Sequence, residues 1–288
     1  MKLLTGKREN KVFIGVLDST ETKVLSVNET DSMVECIAKG EEFLQDVKEK
    51  IEAASLEAYF LLDEVTLLSP ITKPPKNILC VGKNYVDHAI EMGSKDDIPE
   101  HMMVFTKAPT TIIGPNEQIE NHLSITNQLD YEGELAIVIG KKGRNIRKED
   151  ALDYVFGYTI VNDITARDLQ AKHKQFFLGK SLDNSCPMGP FLVHKESLSN
   201  PNQLHIETKV NGEVRQSSNT KHFIFSVEEM IVTLSLGMTL EPGDVIATGT
   251  PAGVGKGFHP PRFLKPGDQI EITIEGIGTL TNHVSKEI

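Results

Sequence analysis

Three carboxylates carry most of the chemical information in this chain. Glu132 and Glu134 lie in Asp130-Tyr-Glu-Gly-Glu-Leu-Ala-Ile-Val-Ile-Gly140, and Asp163 lies in Val161-Asn-Asp-Ile-Thr-Ala-Arg-Asp168. Residues 135–139 are apolar and mostly branched and end at a glycine, which predicts a strand. Residues two apart on a strand share a face, so Glu132 and Glu134 project together. A second apolar run over residues 155–161 predicts another strand, which delivers Asp163 to the end of the same sheet. These strings hold no excess of Lys or Arg, and three converging acids repel one another unless a hard cation binds them. A metal site in an enzyme is the reading this pattern suggests. The spacing also allows both glutamates to face solvent from an edge strand, with Asp163 capping a helix at Thr165.

A second group lies upstream, in Val81-Gly-Lys-Asn-Tyr-Val-Asp-His-Ala-Ile-Glu-Met-Gly93. With residues 85–92 helical, His88 and Glu91 stand three apart on one face. A carboxylate beside an imidazole fixes its tautomer and raises its basicity, as a general base requires. Such pairs are also common on surface helices, and spacing alone leaves both readings open. The polar segment 94–100 that follows suits a mobile lid. Lys83, Arg167 and Lys180 are the cations near these motifs, each as readily a solvated surface charge. Gln170 falls three residues after Arg167, so the two can face one ligand. Residues 179–190, rich in Gly, Ser and Pro, resemble a site-forming loop. The glycine-rich run Thr248-Gly-Thr-Pro-Ala-Gly-Val-Gly-Lys-Gly257 lacks both the phosphate-loop and the dinucleotide spacing. Its amides and Thr250 are expected to line a small-anion pocket.

The elements that must hold these groups are mostly strands. Short strand-like runs alternate with Gly, Pro and Asn turns from residue 77 onward, with helices expected over 165–174 and 227–238. The latter opens on the capping box Ser226-Val-Glu-Glu229. This pattern predicts an α+β, β-rich catalytic domain over residues 71–288. A small N-terminal α/β domain is expected over residues 1–70, with strands at 12–17, 23–27 and 64–68 and a helical stretch over 32–54 interrupted at Gly40. The proline-rich segment 69–76 serves as the connector. At 288 residues, 39% hydrophobic and 25% charged, the chain has ample material for a core. Its net charge of −11 argues against nucleic acid and anionic membranes, and an anionic substrate needs local positive charge to be held. No apolar run reaches membrane-helix length and no signal peptide is evident. Cys36, Cys80 and Cys186 are scattered and odd in number, which predicts buried free thiols in a reducing cytoplasm.

Taken together, several strings resemble the fumarylacetoacetate hydrolase family, most closely its acylpyruvate hydrolase and oxaloacetate decarboxylase members. They are Gly82-Lys-Asn-Tyr-Val-Asp-His88, Asp130-Tyr-Glu-Gly-Glu-Leu-Ala136, residues 157–168, Gly179-Lys-Ser181, Val210-Asn-Gly-Glu213 and Thr248-Gly-Thr-Pro-Ala-Gly-Val-Gly255, in the family's order over about residues 77–285. The resemblance implies the family's own mixed β-sandwich roll and a homodimer. It implies Mg²⁺ or Mn²⁺ on Glu132, Glu134 and Asp163, acid–base work by His88 with Glu91, and Lys180 among the catalytic groups. Lys83, Arg167, Gln170 and Thr250 would contact substrate. Asn84 stands about where fumarylacetoacetase has a further acidic ligand, so that substrate is not expected here. The implied activity is C3–C4 cleavage of a small anionic 2-keto acid through a metal-bound pyruvate enolate, by oxaloacetate decarboxylation, acylpyruvate hydrolysis or both. Two alternatives use the same fold: a 2-hydroxyhepta-2,4-diene-1,7-dioate-type isomerase and a non-catalytic binding or scaffold protein.

Overall fold

A computed structural model describes residues 1–198 and 200–286. The N-terminal part comprises β1 (Lys2–Arg8), β2 (Lys11–Leu17), β3 (Lys23–Asn28), α1 (Met33–Ala38), α2 (Glu41–Ala53), β4 (Tyr59–Leu61) and β5 (Thr66–Leu68). The middle follows with β6 (Ile78–Gly82), α3 (Val86–Glu91), β7 (Met103–Lys107), β8 (Ile112–Ile113), β9 (Gln118–Ile119), β10 (Leu129–Asp130), β11 (Gly133–Ile139), β12 (Val155–Asn162) and β13 (Thr165–Ala166). Last come α4 (Arg167–His173), α5 (Phe177–Lys180), β14 (Cys186–His194), β15 (His205–Val210), β16 (Glu213–Asn219), α6 (Val227–Ser235), β17 (Val245–Ala247), β18 (Gln269–Ile274) and β19 (Gly278–Val284). Among the described residues no helix is long and apolar enough to cross a membrane.

One sheet runs in the order β4-β3-β2-β1-β14-β12-β11-β17-β6-β7, with β5 on β1 and β8 on β14. A second sheet runs β16-β15-β18-β19-β9. Strands β11 and β12 lie at the centre and are buried along their whole length. The side chains of β11 alternate between two cores. Leu135, Ile137 and Ile139 join Ile206, Ile270, Ile272 and Leu280 of the second sheet and Ile231 of α6. Ala136 and Val138 join Cys36, Ile37, Phe43 and Val47 from α1 and α2. A strand covered on both faces reads as an unbroken apolar run, which is why it stands out in the sequence. Strands β1 and β14 pair through Lys2↔Val193 and Leu3↔Leu192, so strands on both sides of residue 70 belong to one sheet.

Several elements differ from the sequence expectation. Residues 186–190 are not loop but the start of a central strand that carries Pro187, Gly189 and Pro190. Pro190 is tolerated because it falls in the irregularity between the Ile160↔Gly189 and Tyr158↔Val193 registers, where no ladder amide is required. The helix expected over 165–174 begins at Arg167, since Thr165 and Ala166 pair with Asp130 and Leu129. That short ladder sets the site. It holds Asp130 against Thr165, and Asp163 N then donates to Glu132 O at 2.8 Å.

Candidate active site

Glu132, Glu134 and Asp163 converge at the ends of β11 and β12, each buried, with one carboxylate oxygen apiece lying within 4.8 Å of the others. The two-residue spacing brings the glutamates together, and Gly133 between them is required by the second sheet. A Cβ at Gly133 would lie 2.3 Å from Thr208 Oγ1. The Gly133 amide instead donates to Gln216 Oε1 at 3.1 Å.

Two of the nearby cations, Arg167 and Lys180, are not solvated surface charges but buried partners of these acids. Lys180 Nζ donates to Glu132 Oε2 and Asp163 Oδ2, both at 2.7 Å. Arg167 reaches Asp130 through Nε and Glu132 through Nη2, each at 2.8 Å. Lys107, fully buried, lies 3.0 Å from Asp163 Oδ1. Arg167 and Lys180 are among the cations that stand beside these motifs in the sequence, whereas Lys107, from β7, lies in no string that points to the trio. Burial works against the charged form of Glu132, but Lys180 and Arg167 outweigh it and hold its carboxyl at about 2. Glu134 has no such partner: burial, then Asp163 and Glu132, push its carboxyl well above the usual range. Burial also opposes the charge on Lys180, yet Asp163 and Glu132 overcome it and raise its ammonium.

The donor set fits a further hard cation. Four buried carboxylates, counting Asp130, face three buried cations. Among the described residues Glu134 accepts only from Gly249 N, at 2.8 Å. Asp163 Oδ1 accepts no hydrogen bond among the described residues, because Lys107 directs its protons to Ile164 O, Lys180 O and Ser185 Oγ. A divalent ion on Glu132, Glu134 and Asp163 would satisfy Asp163 Oδ1 and supply Glu134 with a cationic partner.

The glycine-rich loop corrects a second expectation. Its amides are spent not on a small anion but on the protein's own carboxylates. Gly249 N binds Glu134, Gly253 N binds Glu91 Oε1 at 2.8 Å, and Gly255 N and Lys256 N bind Asp130 at 2.7 and 3.0 Å. One backbone segment thereby fixes an acid of the trio, an acid of the His88 pair and the anchor of Arg167. Thr250 Oγ1 donates to Gly133 O at 3.0 Å and accepts from Gln216 Nε2 at 2.7 Å, so its hydroxyl proton is committed. Asn84 is committed as well: its side chain bridges Thr248 O, Phe225 O and Phe225 N. Asp130 and Gln216, which spacing did not single out, are the hubs of this network. Their signal in the sequence is only their position inside Asp130-Tyr-Glu and two residues past Val214.

A cavity of about 340 Å³ opens over the trio. Its lining includes His88, Glu132, Glu134, Arg167, Gln170, Lys180, Lys83 and Thr250, so nearly every residue expected of a site meets there. Asp163 and Glu91 stand just behind that wall, joined to it through Lys180 and His88. His88 Nδ1 pairs with Glu91 Oε2 at 3.2 Å, on a helix where His88 is buried. With Glu91 accepting from Nδ1–H, Nε2 is the basic nitrogen, and no protein group among the described residues occupies it. Arg167 Nη1 donates to Gln170 Oε1 at 3.3 Å. Lys83 lies 3.4 Å from Asp97 in the middle of the 94–100 segment. Lys174 and Lys256 also line the cavity, from the end of α4 and from the glycine-rich loop. The three cysteines are buried free thiols.

Comparison with known proteins gives a consistent picture. The family model described as the fumarylacetoacetate (FAA) hydrolase C-terminal region matches residues 77–285. The oxaloacetate tautomerase YisK of Bacillus subtilis is 56% identical over 301 residues, covering 99% of this chain and 100% of that protein. A solved fumarylacetoacetate hydrolase from psychrophilic Exiguobacterium antarcticum superposes with a TM-score of 0.88 at 47% identity, covering 100% of both chains. The solved 2-hydroxyhepta-2,4-diene-1,7-dioate isomerase of Mycobacterium marinum gives 0.76 at 32% identity, covering 99% of this chain and 98% of that one.

Proposed function

The chain belongs to the fumarylacetoacetate hydrolase family, and from that premise we propose that its pocket interconverts the enol and keto forms of a small 2-keto dicarboxylate of the oxaloacetate class. The observation that carries this reading is the His88–Glu91 pair opening on the same cavity as the acidic trio. The 56% identity to an oxaloacetate tautomerase supports it. Glu132, Glu134 and Asp163 would hold Mg²⁺ or Mn²⁺, which supplies Lewis acidity to the C2 oxygen of a bound keto acid.

His88 does the proton work. With its tautomer fixed by Glu91, Nε2 takes the proton from C3 while that bond's electron pair moves into C2–C3 and the carbonyl pair moves onto the C2 oxygen, which then receives that proton from the His88 imidazolium. The reverse sequence forms the ketone. Glu91 stabilises the imidazolium that forms in between, and Gly253 N keeps Glu91 aimed at the ring. Arg167, Gln170, Lys180, Lys83 and Thr250 form the walls that orient the anion, with Arg167 and Lys180 supplying positive charge beside the reacting end. Closure of the pocket over the substrate would exclude the water that competes for these donors.

Cleavage of C3–C4 is the second reading, supported by the likeness to a solved fumarylacetoacetate hydrolase. Oxaloacetate decarboxylation and acylpyruvate hydrolysis develop the same charge at C3 and need the same groups. A homodimer and a cytoplasmic setting belong to the proposal, and sedimentation tests the first. The experiment that separates the chemistries follows enol absorbance and pyruvate release together, with Mg²⁺, Mn²⁺ or EDTA. Accelerated enol decay without stoichiometric pyruvate is expected, slowed by about 10²–10⁴-fold in His88→Ala. Acceleration of neither process would end the proposal, and stoichiometric pyruvate would transfer it to cleavage.

A further inference from the structure

Five cationic side chains line the cavity, and they are not equivalent. Arg167 and Lys180 are neutralised by buried carboxylates, and Lys83 lies 3.4 Å from Asp97. The ammonium groups of Lys174 and Lys256 have neither an ion-pair nor a hydrogen-bond partner among the described residues. Both residues are exposed, and what sets them apart from the chain's other unpartnered lysines is that they line the same cavity as the trio.

Lys256 is also held in place. Its amide and that of Gly255 bind the two oxygens of Asp130, the same carboxylate that binds Arg167 Nε. The Lys256 backbone and the Arg167 guanidinium are therefore referred to one buried anchor, so the exposed Lys256 side chain starts from a fixed point on the cavity wall. Burial, then the neighbouring Arg167, lowers the ammonium of Lys256, and an anion beside it would favour its charged form.

We propose that Lys256 and Lys174 form a subsite for a second anionic group, selecting 2-keto dicarboxylates over 2-keto monocarboxylates of the same length. This rests on the reading of the cavity as a 2-keto-acid site. The keto-acid end occupies the inner pocket, and the remote carboxylate reaches the two lysines. A neutral acyl tail would leave both ammoniums unpartnered.

Two inert ligands with one carbon skeleton test this: 2-oxoglutarate, which ends in a carboxylate, and 2-oxopentanoate, which ends in a methyl. Titration calorimetry on the full-length protein with Mg²⁺ measures both, for wild type, Lys256→Ala, Lys174→Ala and Lys256→Arg. Lys48→Ala, at an exposed position on α2, controls for net charge. Wild type should favour the dianion, each alanine variant should weaken it about three- to tenfold, and Lys256→Arg should retain most of the affinity. The preference for the dianion should shrink by the same factor, and Lys48→Ala should preserve it. With oxaloacetate the loss should fall on KM more than on kcat. Equal weakening of both ligands, or an unchanged preference in both alanine variants, overturns the subsite while leaving the proposed activity standing. Wild type binding neither ligand and transforming no keto acid overturns both readings.

Discussion

At the residue scale the site is governed by unequal treatment of three similar carboxylates. Glu132 is held ionised by Lys180 and Arg167, whereas Glu134 has one backbone amide and two acidic neighbours. Their effects on stability therefore have opposite signs. For Glu132, whose carboxyl is lowered to about 2 against burial, the contribution is present above the ordinary value of 4.5 and is lost as pH falls toward 2. For Glu134, raised by burial and then by Asp163 and Glu132, the contribution is complete below 4.5 and is lost as pH rises toward its folded value. Glu134→Gln should therefore stabilise the EDTA-stripped protein near pH 8, by about 2–4 °C in Tm per kcal/mol of relieved repulsion. The gap should close near pH 4.5. Mn²⁺ should raise the Tm of wild type but not of the variant, because the ion supplies the charge that Glu134 lacks. Thermal melts across pH, with and without Mn²⁺, check this. A stripped wild type as stable as Glu134→Gln at pH 8 would mean that Glu134 is already neutralised.

At the element scale the glycine-rich loop is the part that joins the chemistry together. Gly253 has φ +104, and a Cβ there would meet Arg215 O at 1.9 Å, so no side chain fits without moving the loop. Gly253→Ala should cost about 1–3 kcal/mol of strain and withdraw the amide that aims Glu91. A misplaced dyad should then lower kcat about 100-fold. Gly212 supplies the comparison: its φ is +78, but nothing lies within 4 Å of its Cβ. Gly212→Ala should lower Tm modestly and leave kcat near wild type, whereas equal kcat in both variants would reduce the loop to scaffolding. What the sequence revealed of these elements follows from range. Strands β11 and β12 were legible because burial on both faces leaves an unbroken apolar run, and the glutamate pair and His88–Glu91 were legible because two- and three-residue spacings are local geometry. Lys107 was not, since its bonds run to Ile164, Lys180 and Ser185, 57, 73 and 78 positions away. Nor was the first half of β14, residues 186–190, whose prolines read as a loop until the irregular pairing beside β12 made room for them.

At the scale of the whole molecule, the first 70 residues close the sheet that carries the site. Strand β1 pairs with β14, and α1 and α2 cover the face on which Ala136, Val138, Phe156, Val161 and Met188 lie. That face belongs to the strands that end in Glu134 and Asp163, although every residue that lines the cavity lies between positions 81 and 256. Support and chemistry are therefore separable by mutation but not by excision. Ile37→Ala, at a fully buried position of α1, should cost about 2–5 kcal/mol while leaving kcat near wild type well below the lowered Tm. Residues 71–288 expressed alone would expose that apolar face together with the free edge of β14, an arrangement that favours association over a stable monomer. Size-exclusion chromatography and Mn²⁺-dependent melting of the fragment test this. A monodisperse fragment that gains Tm with Mn²⁺ and keeps wild-type kcat would make the N-terminal part an independent domain, and the shared core would then be a docking contact with no part in holding the trio together.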